Sequence, residues 1–220
     1  MERDRTRARQ LAAEYLAKGD PVGWFEQLYR EGEQDKSVVP WAELGPNPNL
    51  LDFWRLNPLP ADGKSALLVG CGFGDDAEQL ASWGFDTTAF DVSATAIQAC
   101  RRRFPSSPVH YQAADLLAPP PAWIASFDFV LESYTLQVLP PPVRAAAIRI
   151  VSEFVAPGGL LLLIARGRDE HDPEGQMPWP LLRRELEDVA QYGLRQLSFE
   201  DFPDAESPPV RRFRALYQKP

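Results

Sequence analysis

From Ser65 onward, short apolar runs alternate with stretches of helical periodicity, and this alternation constrains the fold more than any other feature of the chain. The runs at 66–70, 87–91, 109–112, 127–132 and 159–165 predict strands. The stretches 76–83, 94–104 and 142–154 predict the helices between them, the last ended by Pro157-Gly158-Gly159. Strand and helix in regular alternation predict an α/β fold, a doubly wound and mostly parallel sheet. The unbroken apolar run 160–164 suits a strand buried on both faces. Residues 181–192 read as a further helix. The runs 194–202 and 210–217, separated by Pro209, read as an antiparallel pair closing one edge of the sheet.

The region before the first strand reads differently. Residues 5–18 carry Leu11, Tyr15 and Leu16 at helical spacing, and Gly19-Asp20-Pro21 stops that helix. Residues 22–30 predict a second amphipathic helix whose Trp24, Phe25, Leu28 and Tyr29 need a cover. The stretch 37–49 holds Pro40, Trp41, Pro46 and Pro48, which exclude a regular helix and predict a loop laid against the body of the fold. A helix over 50–56 and a turn over 57–64 then lead into the sheet. The aromatics of this region either pack on the core or serve a site; both readings stand. At 220 residues, 45% of them hydrophobic, the chain supports one core. A single domain over 1–220 is expected, with 1–60 as a helical and loop segment and 65–220 as a Rossmann-like core.

A net charge of −8 argues against a partner tracked through its phosphates, such as a nucleic acid, and favours a small molecule. Two cysteines are too few for a disulfide framework. No apolar run approaches the ~20 residues of a membrane span, and the charged opening 1–9 lacks the apolar core of a signal peptide. A cytoplasmic monomer or homodimer without membrane contact or bound metal is the expectation.

The first predicted strand opens into Gly70, Gly72 and Gly74 and then a helical start. Missing side chains there allow a tight turn and close approach to a ligand, which reads as a nucleotide pocket. Asp91 lies seventeen residues past Gly74 at the end of the next strand, where an acid can take both hydroxyls of a ribose. Its alternative is to cap the helix beginning near Ser93. The spacing G-x-G-x-G followed by Asp75 and Asp76 departs from the dinucleotide pattern, because two carboxylates would repel a pyrophosphate. Acids there suit a cationic ligand bearing an ammonium and a sulfonium, or else cap the helix.

The run Val69-Gly70-Cys71-Gly72-Phe73-Gly74, then Asp91, Ala114-Asp115-Leu116, the stretch 127–132 and Pro157-Gly158-Gly159 resemble the successive motifs of class I S-adenosylmethionine-dependent methyltransferases. The resemblance covers about 65–165. It implies a seven-stranded sheet with a reversed terminal hairpin and S-adenosyl-L-methionine as cofactor. It further implies that Gly70, Gly72 and Gly74 back the methionine moiety, that Asp91 holds the ribose, that Asp115 lies at the adenine amino group with Leu116 beside it, and that Trp41, Cys71, Asp75 and Val92 belong to the same cofactor site. Glu132 would lie near the methionine part and the substrate opening.

Trp24-Phe25, Leu28-Tyr29 and Pro40-Trp41 are similar to the N-terminal segment of the thiopurine, thiol and halide methyltransferase branch, which folds over the cofactor. By that resemblance Trp41 closes on the sulfonium, an aromatic face beside a cation. The fourth-strand sequence Glu132-Ser133-Tyr134-Thr135-Leu136-Gln137 departs from the branch, so the acceptor, an S, N, O or halide nucleophile, stays open. The catalytic candidates are Glu132, Tyr134 and Arg166, with Gln137, Arg168 and His171 nearby. Each has a structural alternative: a half-buried ring, a cap or a solvated face. The charged loop 167–180 reads as a substrate lid, in which Arg166 or Arg168 meets either an anionic acceptor or neighbouring acids. A nicotinamide-dependent oxidoreductase and a non-catalytic cofactor-binding module are the competing functions.

Overall fold

The computed structural model describes residues 4–42 and 44–220. Residues 1–3 of the charged opening and Glu43 of the 37–49 loop lie outside the described residues. Strands β1 (Ser65–Val69), β2 (Asp86–Asp91), β3 (His110–Ala113), β4 (Phe127–Ser133), β5 (Val155–Arg168), β6 (Leu181–Leu182), β7 (Arg195–Pro203) and β8 (Arg211–Gln218) build the sheet. Seven of them lie in the order β3-β2-β1-β4-β5-β8-β7, and the two-residue β6 pairs with the end of β5. The sheet is parallel from β3 to β5. It turns antiparallel at β8 and β7, the terminal pair that the sequence predicts. Strand order reverses between β1 and β4, which opens a crevice at the carboxyl ends of those two strands.

Helices α1 (Thr6–Leu16), α2 (Gly23–Glu31) and α3 (Pro48–Leu56) precede the sheet; α4 (Asp75–Ser82), α5 (Ala94–Arg103), α6 (Pro141–Glu153) and α7 (Arg183–Glu187) follow within it. Alternate residues of β1 serve opposite faces. Leu67 and Val69 pack with Ile148 and Val151 of α6, whereas Ala66 and Leu68 pack with Leu80 of α4 and Ile97 of α5. A third cluster joins Leu11 of α1 and Trp24 and Leu28 of α2 to Phe73, Val138 and Met177, so the N-terminal aromatics find their cover over the carboxyl end of the sheet.

Three predicted elements change. The helix expected from residue 50 starts at Pro48, which its first turn tolerates, and the Asn47 side chain accepts the Asn49 N–H as cap. β5 begins at Val155 and runs through Pro157-Gly158-Gly159, because a slip in its register with β4 between Phe127 and Phe129 absorbs the proline that cannot donate. The helix expected over 181–192 is divided. Leu181 and Leu182 are claimed by pairing with Gly167 and Arg168, leaving α7 and a 3-10 turn at Asp188–Tyr192.

Candidate active site

A cavity of about 770 Å³ opens at the carboxyl edge of the sheet. One half lies over β1, β2 and β3. Gly70, Cys71, Gly72, Asp75, Phe90, Asp91, Val92, Asp115 and Leu116 line it. Gly72 has φ +54°, and a Cβ there would stand 3.1 Å from the Tyr29 hydroxyl and 3.8 Å from the Trp41 ring, in the space between turn and cover. Gly74 is different. Its φ is +90° and a Cβ would press on the Tyr111 hydroxyl at 2.6 Å and Cys100 Sγ at 3.1 Å, so its bareness seats the protein's own side chains. Gly74 is absent from the lining, which corrects its expected place beside the ligand. At Gly70 the crowding neighbour is Thr135 Oγ1.

Asp91 is 6% exposed, and its two oxygens accept the Gly72 N–H at 3.0 Å and the Ser93 N–H at 2.9 Å. Burial pushes its carboxyl up to about 6, against those two hydrogen bonds. The capping role falls to Ser93, whose Oγ accepts the Ala96 N–H at the start of α5. Asp115 accepts the Leu117 N–H at 2.8 Å. The pair of acids after the glycine turn is also resolved. Asp75 forms a two-pronged ion pair with Arg103, both contacts at 2.8 Å, so its charge is already met. Asp76 accepts the Asn47 N–H at 2.7 Å and ties the N-terminal loop to α4. Both acids line the cavity, Asp75 with its charge already met by Arg103. Burial raises the thiol of Cys71.

The cover is aromatic. The Trp41 indole lies edge-on to Trp24, Phe25 and Tyr29, with centroids 6.1, 6.0 and 6.0 Å away, and its N–H donates to the Tyr29 hydroxyl at 2.7 Å. Trp41, Phe25 and Tyr29 all line the cavity.

The other half lies over β4, β5 and β8. Here the structure separates the catalytic candidates. Glu132 is 0% exposed and does not line the cavity. Its Oε1 accepts the N–H groups of Thr135 at 2.7 Å and Leu136 at 2.9 Å, beneath the wall. Direct contact of Glu132 with substrate or cofactor does not fit this geometry. Tyr134 does line the cavity, at φ +67°. Its hydroxyl accepts from Asn49 Nδ2 at 2.7 Å, the Arg212 guanidinium lies 4.7 Å over its ring, and burial raises its phenol. A proton-holding phenol is a poor base. Arg166 lines the cavity and its backbone N–H donates to Gln137 Oε1 at 2.8 Å. Arg168 instead organises the 169–174 loop, donating to the carbonyls of Pro180 and Asp172, and Glu174 lies 3.7 Å away. His171 is exposed and outside the lining.

Several lining residues escaped the sequence reading. Asn47 Nδ2 donates to Ser133 Oγ at 2.7 Å. The β7–β8 connection brings Phe202 to Glu206 over the cavity, held by a buried ion pair of Arg212 with Asp204 at 2.6 Å. Met177 and Pro178 close the side nearest Val138. Met177 and Pro178 belong to the 167–180 loop that the sequence reads as a lid; nothing in local spacing marks Asn47 or the β7–β8 connection, which reach the cavity only through the sheet order.

Fold and site together define a Rossmann-like nucleotide-binding protein with its pocket at the topological switch point. Residues 66–159 match the methyltransferase domain family. The chain is 24% identical to thiocyanate methyltransferase 1 of Brassica oleracea over 196 residues, 87% of this chain and 82% of that protein. It is 30% identical to the ubiquinone biosynthesis O-methyltransferase of Chromobacterium violaceum over 151 residues, 66% of this chain and 62% of that one. Its fold superposes on an N-methyltransferase of Bradyrhizobium japonicum WM9, solved with S-adenosyl-L-homocysteine, with a TM-score of 0.68 at 21% identity over 88% of this chain and 98% of that one. The domain match, the relatives and the fold together support a class I S-adenosylmethionine-dependent methyltransferase. Its cofactor is S-adenosylmethionine, and the nicotinamide alternative falls with that. The space kept free at Gly72 and the buried acid Asp91 beside it fit a nucleoside lying along the turn.

Proposed function

We propose that this enzyme methylates a small molecule that arrives already nucleophilic, a thiolate or a soft anion. The supporting observation is the lack of a disengaged base over β4, β5 and β8 among the described residues. Asp204 and Glu206 pair with Arg212, Asp52 lies 3.5 Å from Arg55, Asp76 accepts from Asn47, and burial holds the proton on Tyr134. An oxygen or amine acceptor that must lose its proton would find no side chain ready to take it. The names of the relatives point to sulfur, oxygen and nitrogen acceptors, so the local chemistry decides among them.

In this reading Gly70, Cys71, Gly72, Asp91, Val92, Asp115 and Leu116 hold the cofactor and Trp41 covers its sulfonium side. When bound, the cofactor supplies an activated methyl group. The chain's own work is placement and exclusion of water: Tyr134, Arg166, Met177 and Phe202 shape the path along which the nucleophile approaches in line. Residues 1–60 act as the cover of a single domain, and the net charge of −8 keeps nucleic acid from the site. Radiolabelled methyl transfer to hydrosulfide, thiocyanate, iodide, thiophenol, phenol and aniline tests the proposal. Turnover confined to the sulfur compounds and iodide is expected; preference for phenol would overturn it.

A further inference from the structure

Glu132 is an expensive residue for what it visibly does. Its side chain is fully buried, Oε1 accepts two backbone N–H groups, and Oε2 has no hydrogen-bond partner. A neutral side chain could accept those N–H groups without burying an oxygen that lacks a donor. When ionised, Glu132 leaves Oε2 unpaired; when protonated, it gives Oε2 a proton with no acceptor. Neither form is fully satisfied.

What the carboxyl holds is the wall shared by both halves of the cavity. Ser133, Tyr134, Thr135, Gln137, Val138 and Leu139 all line it. Thr135 donates to the Val69 carbonyl at 3.3 Å and fills the space over Gly70. Gln137 accepts the Arg166 N–H through its side chain and the Trp179 N–H through its carbonyl, at 2.8 and 2.7 Å. One segment thus touches the glycine turn, the end of β5 and the strip beside Met177.

We propose that Glu132 is a positioning residue for methyl transfer, acting through the Thr135 and Leu136 amides, and that the charge on its carboxyl sets how firmly the 133–139 wall is held. This rests on the methyl-transfer reading of the site. Its neighbours in the sheet, Val69 on β1 and Leu163 on β5, do not titrate. From α6 Arg144 favours the ionised form; it is itself held by Glu185 at 2.7 Å and by the carbonyls of Leu136 and Leu139. Burial lifts the carboxyl to about 7, so both forms are populated near neutrality. An ionised acceptor makes the stronger N–H bonds, so the wall tightens as pH rises.

Hydrogen exchange in the cofactor-free protein reads the wall directly, and turnover of iodide reads its consequence. In Glu132→Ala the Thr135 and Leu136 amides should exchange about tenfold faster or more, the size of a lost charge-assisted hydrogen bond. In the unaltered protein their protection should rise between pH 6 and 8 after correction for intrinsic exchange. In Glu132→Gln, which keeps one acceptor, that rise should vanish. With iodide, whose charge does not change with pH, kcat should gain across the same interval while KM changes little, and Glu132→Gln should flatten the profile. Affinity for S-adenosylhomocysteine, measured by calorimetry, should stay within about threefold in Glu132→Gln, since the residue touches no ligand. Unchanged exchange in Glu132→Ala, or an identical pH rise in Glu132→Gln, would overturn the proposal. Expected exchange behaviour with no transfer to any acceptor would count against the proposed acceptor class and leave the positioning role supported.

Discussion

The indole N–H of Trp41 donates to the hydroxyl of Tyr29 at 2.7 Å, and that hydroxyl stands 3.1 Å from where a Cβ on Gly72 would sit. Two cover residues are thereby fixed against each other and against the glycine turn. Tyr29→Phe keeps the ring and its edge-on contacts with Trp41 and Phe73 but removes the acceptor. A loss of about 0.5–1.5 kcal/mol in cofactor affinity is expected, with little change in thermal midpoint. Titration with S-adenosylhomocysteine measures the first and calorimetric melting the second. Unchanged affinity would remove Tyr29 from the site.

Asp91 should tie cofactor affinity to pH. A ribose hydroxyl donates best to an ionised carboxylate, and burial holds this one up to about 6. Affinity should therefore fall as pH drops through 6, by at most about tenfold per unit. Asp91→Ala should cost about 1–3 kcal/mol of binding and abolish that dependence. The same shift acts on folding with opposite sense. Because the folded value lies above the unfolded value near 4, Asp91 contributes stability below that value, which is lost as pH rises through about 6. Melting of the cofactor-free protein at pH 5 and 7 would show it.

The glycines at 72 and 74 should fail in different ways. Both have positive φ, so alanine strains either by about 1–3 kcal/mol. At Gly74 the added methyl also meets the Tyr111 hydroxyl and Cys100, so Gly74→Ala should lose fold stability beyond that strain. At Gly72 it enters the ligand space, so Gly72→Ala should lose cofactor affinity out of proportion to its change in denaturant midpoint. Equal stability and affinity losses in both variants would refute the distinction.

How the site was legible is uneven, and the reason is physical. Gly70, Gly72 and Asp91 stand at the ends of β1 and β2, where periodicity and spacing place them, and Asp115, just past β3, is reached through the family resemblance. Asn47 and Asn49, Tyr134, and Arg212 come together from three distant stretches, and no local pattern announces that. Glu132 stands apart. Its place at the end of β4 suggests a reacting group, yet the alternation of the strand turns it to the α6 side, into the layer that holds Val130 and Leu136. Likewise a run of acids after the glycine turn looks free in sequence; the partner of Asp75 is Arg103, at the far end of α5. The division of 181–192 depended on pairing with β5, which only the assembled sheet supplies.

Arg212 and Asp204 are 4% and 5% exposed at their side chains. Arg212→Met leaves a buried carboxylate without its partner and should cost about 3–5 kcal/mol in denaturant unfolding. Pairing it with Asp204→Asn should recover part of that loss. Failure of the second change to recover any stability would mean that the loss came from the Tyr134 and Glu206 contacts instead.

Arg166 and Arg168 should part company in kinetics. Arg168→Ala loosens the 169–174 loop and should leave acceptor KM within about twofold, whereas Arg166→Ala, in the cavity wall, should raise it several-fold. Initial rates over a thiophenol series separate the two. Equal effects would place both in the same role.

The two halves of the cavity draw on the chain in unequal ways. The floor of the first half, the glycine turn with the ends of β2 and β3, comes from one continuous stretch, 69–117, to which the cover adds Phe25, Tyr29 and Trp41; the opposite half draws on 44–52, 166–178 and 202–212, and 133–139 is shared. The second set closes long loops, Tyr134 with Asn49 and the Arg214 guanidinium with the Asn49 carbonyl among them. Closure across such separations costs entropy that is regained only when the whole sheet is in place. In a refolding chain, competence to hold a nucleoside is therefore expected to return before competence to choose an acceptor. The same partition lets mutation revise the acceptor half while leaving the inherited grip on the cofactor untouched.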